Sequence, residues 1–232
     1  MEKRHVKVWD LPTRLFHWLL VLLTVGAFVT GFLGGNLIEA HGLLGLGIVG
    51  LLAFRLVWGV VGSTYARFSQ FVSGPAQALA YLRGQWHGLG HNPLGAFSVL
   101  AMLALMLFQV VSGLVSDDNI SFTGPLKTWV SQDTADWMTG LHQINAWLII
   151  GLVSLHTLSV VFYAVVKKKN LLTPMFTGHQ NVDDPKLESA RGGGGLAFIV
   201  AVLIAAAAVW VANGGLNPPP PPPPPPQAAP AW

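Results

Sequence analysis

Five long apolar runs constrain this 232-residue chain more than any other feature. They cover residues 13–33, 41–62, 93–115, 139–166 and 196–212, and only the last is marginal in length. A helix needs about 20 predominantly apolar residues to cross the hydrocarbon core of a bilayer. Only helices and closed barrels satisfy the backbone in lipid, and these runs are too long for barrel strands. The sequence therefore predicts an all-α membrane protein.

The overall composition supports this class. Apolar residues make up 52% of the chain and charged residues 10%, whereas a soluble domain carries roughly 25% charged residues. The absence of cysteine excludes disulfides, zinc–thiolate sites, iron–sulfur clusters, thiol nucleophiles and covalently attached c-type haem. No small-residue cleavage site precedes Gly31, so we expect the first apolar run to be retained as a helix and not removed as a signal peptide. We expect lipid contacts and no nucleic-acid partner.

The positive residues predict the orientation. If the N-terminus is cytoplasmic, twelve of the thirteen fall on that side: Lys3, Arg4, Lys7, Arg14, Arg55, Arg67, Arg83, Lys167, Lys168, Lys169, Lys186 and Arg191. The opposite side has Lys127 and five acidic residues: Glu39, Asp117, Asp118, Asp133 and Asp136. The positive-inside rule therefore predicts a cytoplasmic N-terminus and, after five spans, an external C-terminus.

The runs and the segments between them suggest four parts. Residues 1–172 form a four-helix core, and residues 173–195, which end in four glycines, form a flexible cytoplasmic linker. A fifth transmembrane helix spans residues 196–213, and residues 214–232 form an external tail. The uninterrupted prolines at 218–226 predict an extended polyproline rod in that tail. A short interfacial helix is expected near residues 75–83.

Four histidines lie in or beside the spans, where ionisable side chains are expensive and usually functional. His142 and His156 are 14 residues apart on the fourth run, which places them within roughly 40° of each other and about 21 Å apart along a helix. The alternating direction of the helices places His41 at the external depth of His142. It places His17 at the cytoplasmic depth of His156.

Paired histidines at two depths are typical of b-type haem, whose iron takes two imidazoles in a helix bundle. A zinc site needs three or four ligands at one depth. A proton or metal transporter normally has acidic residues within its spans, and here only Glu39 lies near one. We therefore prefer haem to metal or proton transport, and to histidines that only pack.

Other residues near the pairs each have two interpretations. Glycines on the first two runs could face a porphyrin or allow close helix packing: Gly26, Gly31, Gly42, Gly45, Gly47 and Gly50. Arg14 and Arg55 could pair with haem propionates or be ordinary cytoplasmic anchors. The other histidines lie in polar stretches and are expected at the surface: His5, His87, His91 and His179. His87 and His91 are four apart, but the glycines between them weaken a helical metal site.

Five segments resemble the bacterial cytochrome b561 family, which includes the b-type cytochrome subunits of nickel–iron hydrogenases. They are residues 8–18 (VWDLPTRLFHW), 54–59 (FRLVWG), 90–96 (GHNPLGA), 141–156 and 170–178. The resemblance implies a four-helix transmembrane bundle with two b haems, ligated by His17, His41, His142 and His156. The fifth helix and the proline tail fall outside the resemblance.

The resemblance also implies a function in the bacterial cytoplasmic (inner) membrane, with a periplasmic C-terminus. The protein would relay electrons between the membrane quinone pool and a redox partner such as a c-type cytochrome, a hydrogenase or another oxidoreductase subunit. The alternative is a stand-alone quinone-linked oxidoreductase, for example one that oxidises superoxide. No quinone site can be assigned: Gln109, Ser112, Trp137 and Gln143 lie near the external face, where interfacial or packing roles are favoured.

Overall fold

The computed structural model describes residues 4–72, 74–86 and 88–219. In chain order its elements are β1 (Arg4–Lys7), α1 (Leu11–Leu33), α2 (Ile38–Val61), α3 (Phe68–Phe71), α4 (Pro75–Leu82), α5 (Pro93–Val115), α6 (Gln132–Val165), α7 (Leu172–Thr177), β2 (His179–Val182) and α8 (Gly195–Trp210). A π-helical turn, Val211–Gly215, continues α8. Within the described residues, five helices are long and apolar enough to cross a membrane: α1, α2, α5, α6 and α8. The predicted fold class is confirmed. His87 and most of the predicted proline rod lie outside the described residues.

Polar caps explain where three of the long helices begin. Asp10 accepts a hydrogen bond from the Thr13 amide (2.7 Å) ahead of α1, and Asn92 accepts one from the Gly95 amide (2.8 Å) ahead of α5. A proline follows each of these caps, where its fixed φ favours the first turn. Ser131 caps α6, which therefore starts well before residue 139, because its first turns are polar and the apolar run did not include them.

Helix α2 is the centre of the bundle, packing against α1, α5 and α8, while α5 also packs against α6. One third of the most apolar stretch of α2 is buried, compared with 6% for α1 and for α6. Leu52 and Trp58 on α2 are almost fully enclosed. The wide exposed faces of α1 and α6 are apolar, as expected for surfaces that meet lipid.

Helix α8 is fastened to this bundle at both ends. Near its start, the Phe198 ring packs edge-on against Phe54 and Trp58 of α2, with centroids 5.9 and 6.2 Å away. Just beyond its end, the Asn217 side chain accepts a hydrogen bond from the Trp129 indole (2.8 Å) and donates one to the Pro125 carbonyl (2.8 Å). The helix is therefore a packed part of the bundle.

The segment predicted to be a flexible linker contains α7 and β2. Strand β2 pairs antiparallel with β1, with Arg4 opposite Val182. Further along, the Thr64 amide donates to the Arg191 carbonyl (2.8 Å), which ties this segment to the loop after α2. Pairing partners so distant along the chain leave no local signal in a polar, glycine-rich segment, so the sequence did not reveal them.

Candidate functional site

At the end of the bundle that holds the α1–α2 turn, His41 and His142 lie side by side. Their ring centroids are 6.0 Å apart and the ring planes are inclined by 84°. His41 is in the first turn of α2, and His142 is in the third turn of α6. The pairing expected from helix direction and depth thus brings these two imidazoles together across the bundle.

Each of these rings is oriented by a backbone carbonyl. Nδ1 of His41 donates to the carbonyl oxygen of Ala27 (2.8 Å), and Nδ1 of His142 donates to that of Gln109 (2.9 Å). Histidines that bind metal usually donate their other ring nitrogen in this way, which fixes the tautomer and the ring orientation. Both rings are therefore arranged to offer Nε2 as the ligand atom.

The spacing of the pair fits a metal between the rings. An imidazole nitrogen binds a transition metal at about 2 Å and lies about 1 Å in front of its ring centre, so opposed rings have centres about 6 Å apart. One contact would have to be given up, because the side-chain amide of Gln109 donates to Nε2 of His142 (3.0 Å). Asn145 holds that amide by donating to Gln109 Oε1 (2.7 Å).

Glycines make room for both rings. A Cβ on Gly31 would lie 2.8 Å from His41 Nδ1, and one on Gly113 would lie 2.9 Å from His142 Cε1. The other glycines on α1 and α2 have different neighbours: Gly26 and Gly47 meet leucines of the facing helix, Gly42 meets Phe122, Gly50 meets Val209, and Gly45 faces open space. In the structure, Gly26, Gly47 and Gly50 serve helix packing.

At the opposite end of the bundle, His17 of α1, His156 of α6 and His91 lie within reach of one another's charges. His17 Nδ1 is buried and has no hydrogen-bond partner among the described residues. His156 is half-buried. The second predicted pair therefore shares one region, about 21 Å from the first pair along α6.

Arg55 is the buried cation of this region. It is 3% exposed, and its guanidinium carbon lies 4.7 Å from the centre of the Phe68 ring. Arg14, nearby, donates through Nη1 to the carbonyl of Phe176. Buried atoms without a partner in the described part of the chain cluster at this end: Thr13 Oγ1, Arg14 Nε, His17 Nδ1, Arg55 Nη1, Ser63 Oγ, Arg67 Nε and His91 Nδ1. Unpaired buried donors favour an anionic group here, and haem propionates fit that requirement.

His91 is the functional candidate that sequence analysis missed. It was expected at the surface, and that prediction was wrong: its ring packs against Trp9 and Phe71, with centroids 4.8 and 4.6 Å away. Burial lowers its pKa to about 3, and the charges of Arg55, His156 and His17 act in the same direction. His5 and His179 are exposed, as predicted. The overlooked signal was the capping pattern of Asn92 and Pro93, which fixes the entry to α5 beside His91.

The quoted sequence segments meet at this end of the bundle. Asp10 caps α1 with one carboxylate oxygen and accepts the Trp58 indole N–H with the other (3.0 Å). Trp9 contacts His91 in the same place. Residues 8–18, 54–59 and 90–96 thus build one buried polar centre around His17.

A comparison with family models identifies the same part of the chain. Residues 8–178 match the model described as "Prokaryotic cytochrome b561". The chain belongs to this family. Membership in a b-type cytochrome family implies haem b, and the five apolar helices agree with a multi-pass membrane protein. The match ends before α8 begins.

Similar curated proteins are described as B-type cytochrome subunits of Ni/Fe-hydrogenases. A "Probable Ni/Fe-hydrogenase B-type cytochrome subunit" of Rhizobium leguminosarum bv. viciae is 25% identical over 224 residues, covering 79% of this chain and 92% of the relative. The corresponding protein of Azotobacter vinelandii is 25% identical, covering 78% and 90%. The "Probable Ni/Fe-hydrogenase 1 B-type cytochrome subunit" of Escherichia coli (strain K12) is 22% identical, covering 75% and 90%. No solved structure matches.

Proposed function

We propose that this cytochrome binds two b haems and relays electrons between the two faces of the membrane. The observation that carries the proposal is the external pair, His41 and His142. Their ring centroids are 6.0 Å apart, and each Nδ1 atom is hydrogen-bonded to a backbone carbonyl oxygen. His17 and His156 supply the second pair at the other end of the same bundle. Two such centres make a path along α6.

The chain's residues have distinct roles in this proposal. His41 and His142 hold the external haem, and His17 and His156 hold the cytoplasmic one. Arg14 and Arg55 hold haem carboxylates at the cytoplasmic end, beside the unpaired buried donors. When bound, haem supplies a one-electron centre whose potential depends on axial ligands, hydrogen bonds and burial. The carbonyls of Ala27 and Gln109 keep the external imidazoles in one tautomer.

The proposed participants are a membrane quinone and a redox partner protein. The names of the relatives point to a hydrogenase as that partner. The lysine and arginine distribution supports a cytoplasmic N-terminus and an external face that is mainly acidic. We propose that the partner docks at this external face. If the protein instead acts alone on quinone, no redox protein will copurify after mild detergent extraction.

Haem counting on single variants tests the central claim. We expect two haems per purified chain by pyridine haemochrome assay. His142→Ala and His156→Ala should each lose one haem and retain the other, with different remaining midpoint potentials. His5→Ala, at an exposed histidine of β1, is the control and should retain both. One haem or fewer per wild-type chain, or loss of both haems from a folded single variant, would contradict the proposal.

The cysteine-free sequence allows a clean test of orientation. A Lys127→Cys variant should react with a membrane-impermeant maleimide on intact cells. A Lys168→Cys variant should react only after the membrane is opened. The reverse pattern would refute the proposed orientation without affecting the haem proposal.

A further inference from the structure

Two histidines lie side by side on the ribbon formed by β1 and β2. The register places His5 opposite Asn181 and Lys7 opposite His179, so the two imidazoles are diagonal neighbours across the antiparallel pair. Their ring centroids are 6.1 Å apart, and the ring planes are inclined by 56°. The strand pairing therefore brings together two imidazoles from opposite ends of the chain.

The ribbon presents these rings to solvent. Side chains alternate between the two faces of a strand, and Val6 and Val182 are buried on the inner face. His5 and His179 are exposed on the outer face. Both also lie outside residues 8–178, the part of the chain that matches the family model. The pair is therefore separate from the four histidines proposed to bind haem.

A backbone carbonyl orients one of the two rings. Nδ1 of His179 donates to the carbonyl oxygen of Thr177 (3.0 Å), which leaves Nε2 with a free lone pair. Histidines that bind metal usually donate their other ring nitrogen in this way. Two imidazoles that share a tetrahedral metal ion have ring centres about 5 Å apart, so a small rotation of the exposed His5 ring is enough to bring both nitrogens to one ion.

We propose that His5 and His179 bind one divalent transition-metal ion, with water completing its coordination. Imidazole suits Zn²⁺, Ni²⁺ and Cu²⁺. Among the described residues, no third histidine or acidic side chain joins the pair, so the ion is held at an open, exchangeable site. Lys7 lies opposite His179 on the same face, and its positive charge limits the affinity for a cation.

A metal ion at this site would act as a clamp between two distant segments. The backbone amides of Val8 and Trp9 donate to the carbonyl oxygen of Gly178 (2.8 and 3.1 Å). The Phe176 ring of α7 stacks on Trp18 of α1, with centroids 4.6 Å apart. These contacts continue the ribbon onto α1. An ion that holds β1 against β2 therefore also stabilises the docking of α7 on the first helix.

Isothermal titration of the purified, haem-loaded protein with Zn²⁺ tests the proposal. We expect one Zn²⁺ per chain. His5→Ala and His179→Ala should each weaken binding at least about tenfold, since loss of an outer-shell partner alone costs 10- to 100-fold. Gln180→Ala is the matched control, because this exposed residue lies on the other face of β2, and it should bind as the wild type does. Lys7→Gln should bind about 2- to 5-fold more tightly, because a like charge is removed.

Hydrogen exchange measures the clamp itself. Zn²⁺ should slow exchange of the β1 and β2 amides in the wild type but not in His179→Ala. Haem content is measured on the same preparations and should equal that of the wild type in both histidine variants. No Zn²⁺ binding by the wild type, or equal affinity of the wild type and both histidine variants, would overturn the proposal. Loss of haem from His5→Ala would also overturn it, because the ribbon would then serve the haem sites.

Discussion

Replacing Gly31 by alanine should disturb His41, the proposed ligand of the external haem, without removing it. The new methyl group would lie 2.8 Å from His41 Nδ1 and 2.9 Å from His41 Cε1, closer than carbon–nitrogen and carbon–carbon contacts allow. The imidazole is the movable partner, so it must shift. Moving it strains or breaks the 2.8 Å hydrogen bond from Nδ1 to the Ala27 carbonyl.

Two free-energy terms oppose each other in this variant. Alanine is favoured over glycine within a helix by about 1 kcal/mol. Overpacking costs about 1–3 kcal/mol, and the lost hydrogen bond about 1 kcal/mol more. We therefore expect a net destabilisation of about 1–3 kcal/mol. A hydrogen bond from the far ring nitrogen strengthens an imidazole as an iron ligand, so its loss would favour reduced iron. A tenfold change in relative affinity corresponds to about 59 mV for one electron.

The assay is a spectroscopic redox titration of the purified Gly31→Ala protein with its haem count. We expect one midpoint potential to rise by up to about 60 mV while the other stays within error. Gly140→Ala is the control, because a Cβ at this exposed α6 position meets nothing within 4 Å. A folded Gly31→Ala protein with both potentials unchanged would refute the assignment of His41 as a ligand.

Three further perturbations test other parts of the structure. Asp10→Ala removes the α1 cap and strands the buried Trp58 indole, so thermal unfolding should show a loss of about 2–4 kcal/mol. Three backbone N–H groups lower the Asp118 pKa to about 2 from its usual 3.8. The ionised carboxylate therefore stabilises the loop fully above pH 3.8, and this stabilisation is lost as the pH falls through 2. Hydrogen exchange of the loop amides, corrected for its intrinsic pH dependence, should accelerate between about pH 4 and 2. Asn217→Ala frees the Trp129 indole and should expose the end of α8 to limited proteolysis.

Each of these has a contrary outcome. Ser131→Ala removes a solvent-exposed cap of α6 and should lower the free energy of unfolding by less than Asp10→Ala does. Equal losses of unfolding free energy would show that the hydrogen bond from Trp58 to Asp10 adds nothing to stability. Asp118→Asn should abolish the pH effect on the loop, and an unchanged profile would assign it to another group. Asn217→Asp keeps the oxygen that accepts from Trp129 and should resist proteolysis better than the alanine variant.

The membrane architecture can be predicted from the sequence, because it depends on the length of each apolar run and on the depth of each residue along the membrane normal. Apolar run length predicted the five helices, and the direction of α2 and α6 predicted that His41 and His142 lie at the same depth, where their rings are 6.0 Å apart. The starts of α1 and α5 also have a local cause, a polar cap followed by a proline, although the apolar runs did not include Asp10 or Asn92. These features need only composition, periodicity and depth.

The missed features depend on distant contacts. His91 looks like a loop histidine until Trp9 and Phe71 are brought against it from elsewhere in the chain. The polar segment after α7 gives no sign that it pairs with β1. Gly31 was one of six glycines with two interpretations, and its contact with the His41 ring likewise becomes visible only in the folded chain. Spacing within one helix cannot encode such neighbours.

Helix α8 has a consequence for assembly in the membrane. With α1, α5 and α8 packed around it, α2 has little surface left for a transmembrane segment of another protein. The apolar faces of α1 and α6 remain broad, with Leu22 of α1 66% exposed and Trp147 of α6 64% exposed. An integral-membrane partner would meet this cytochrome along those two helices, and α6 would place it beside the histidines themselves.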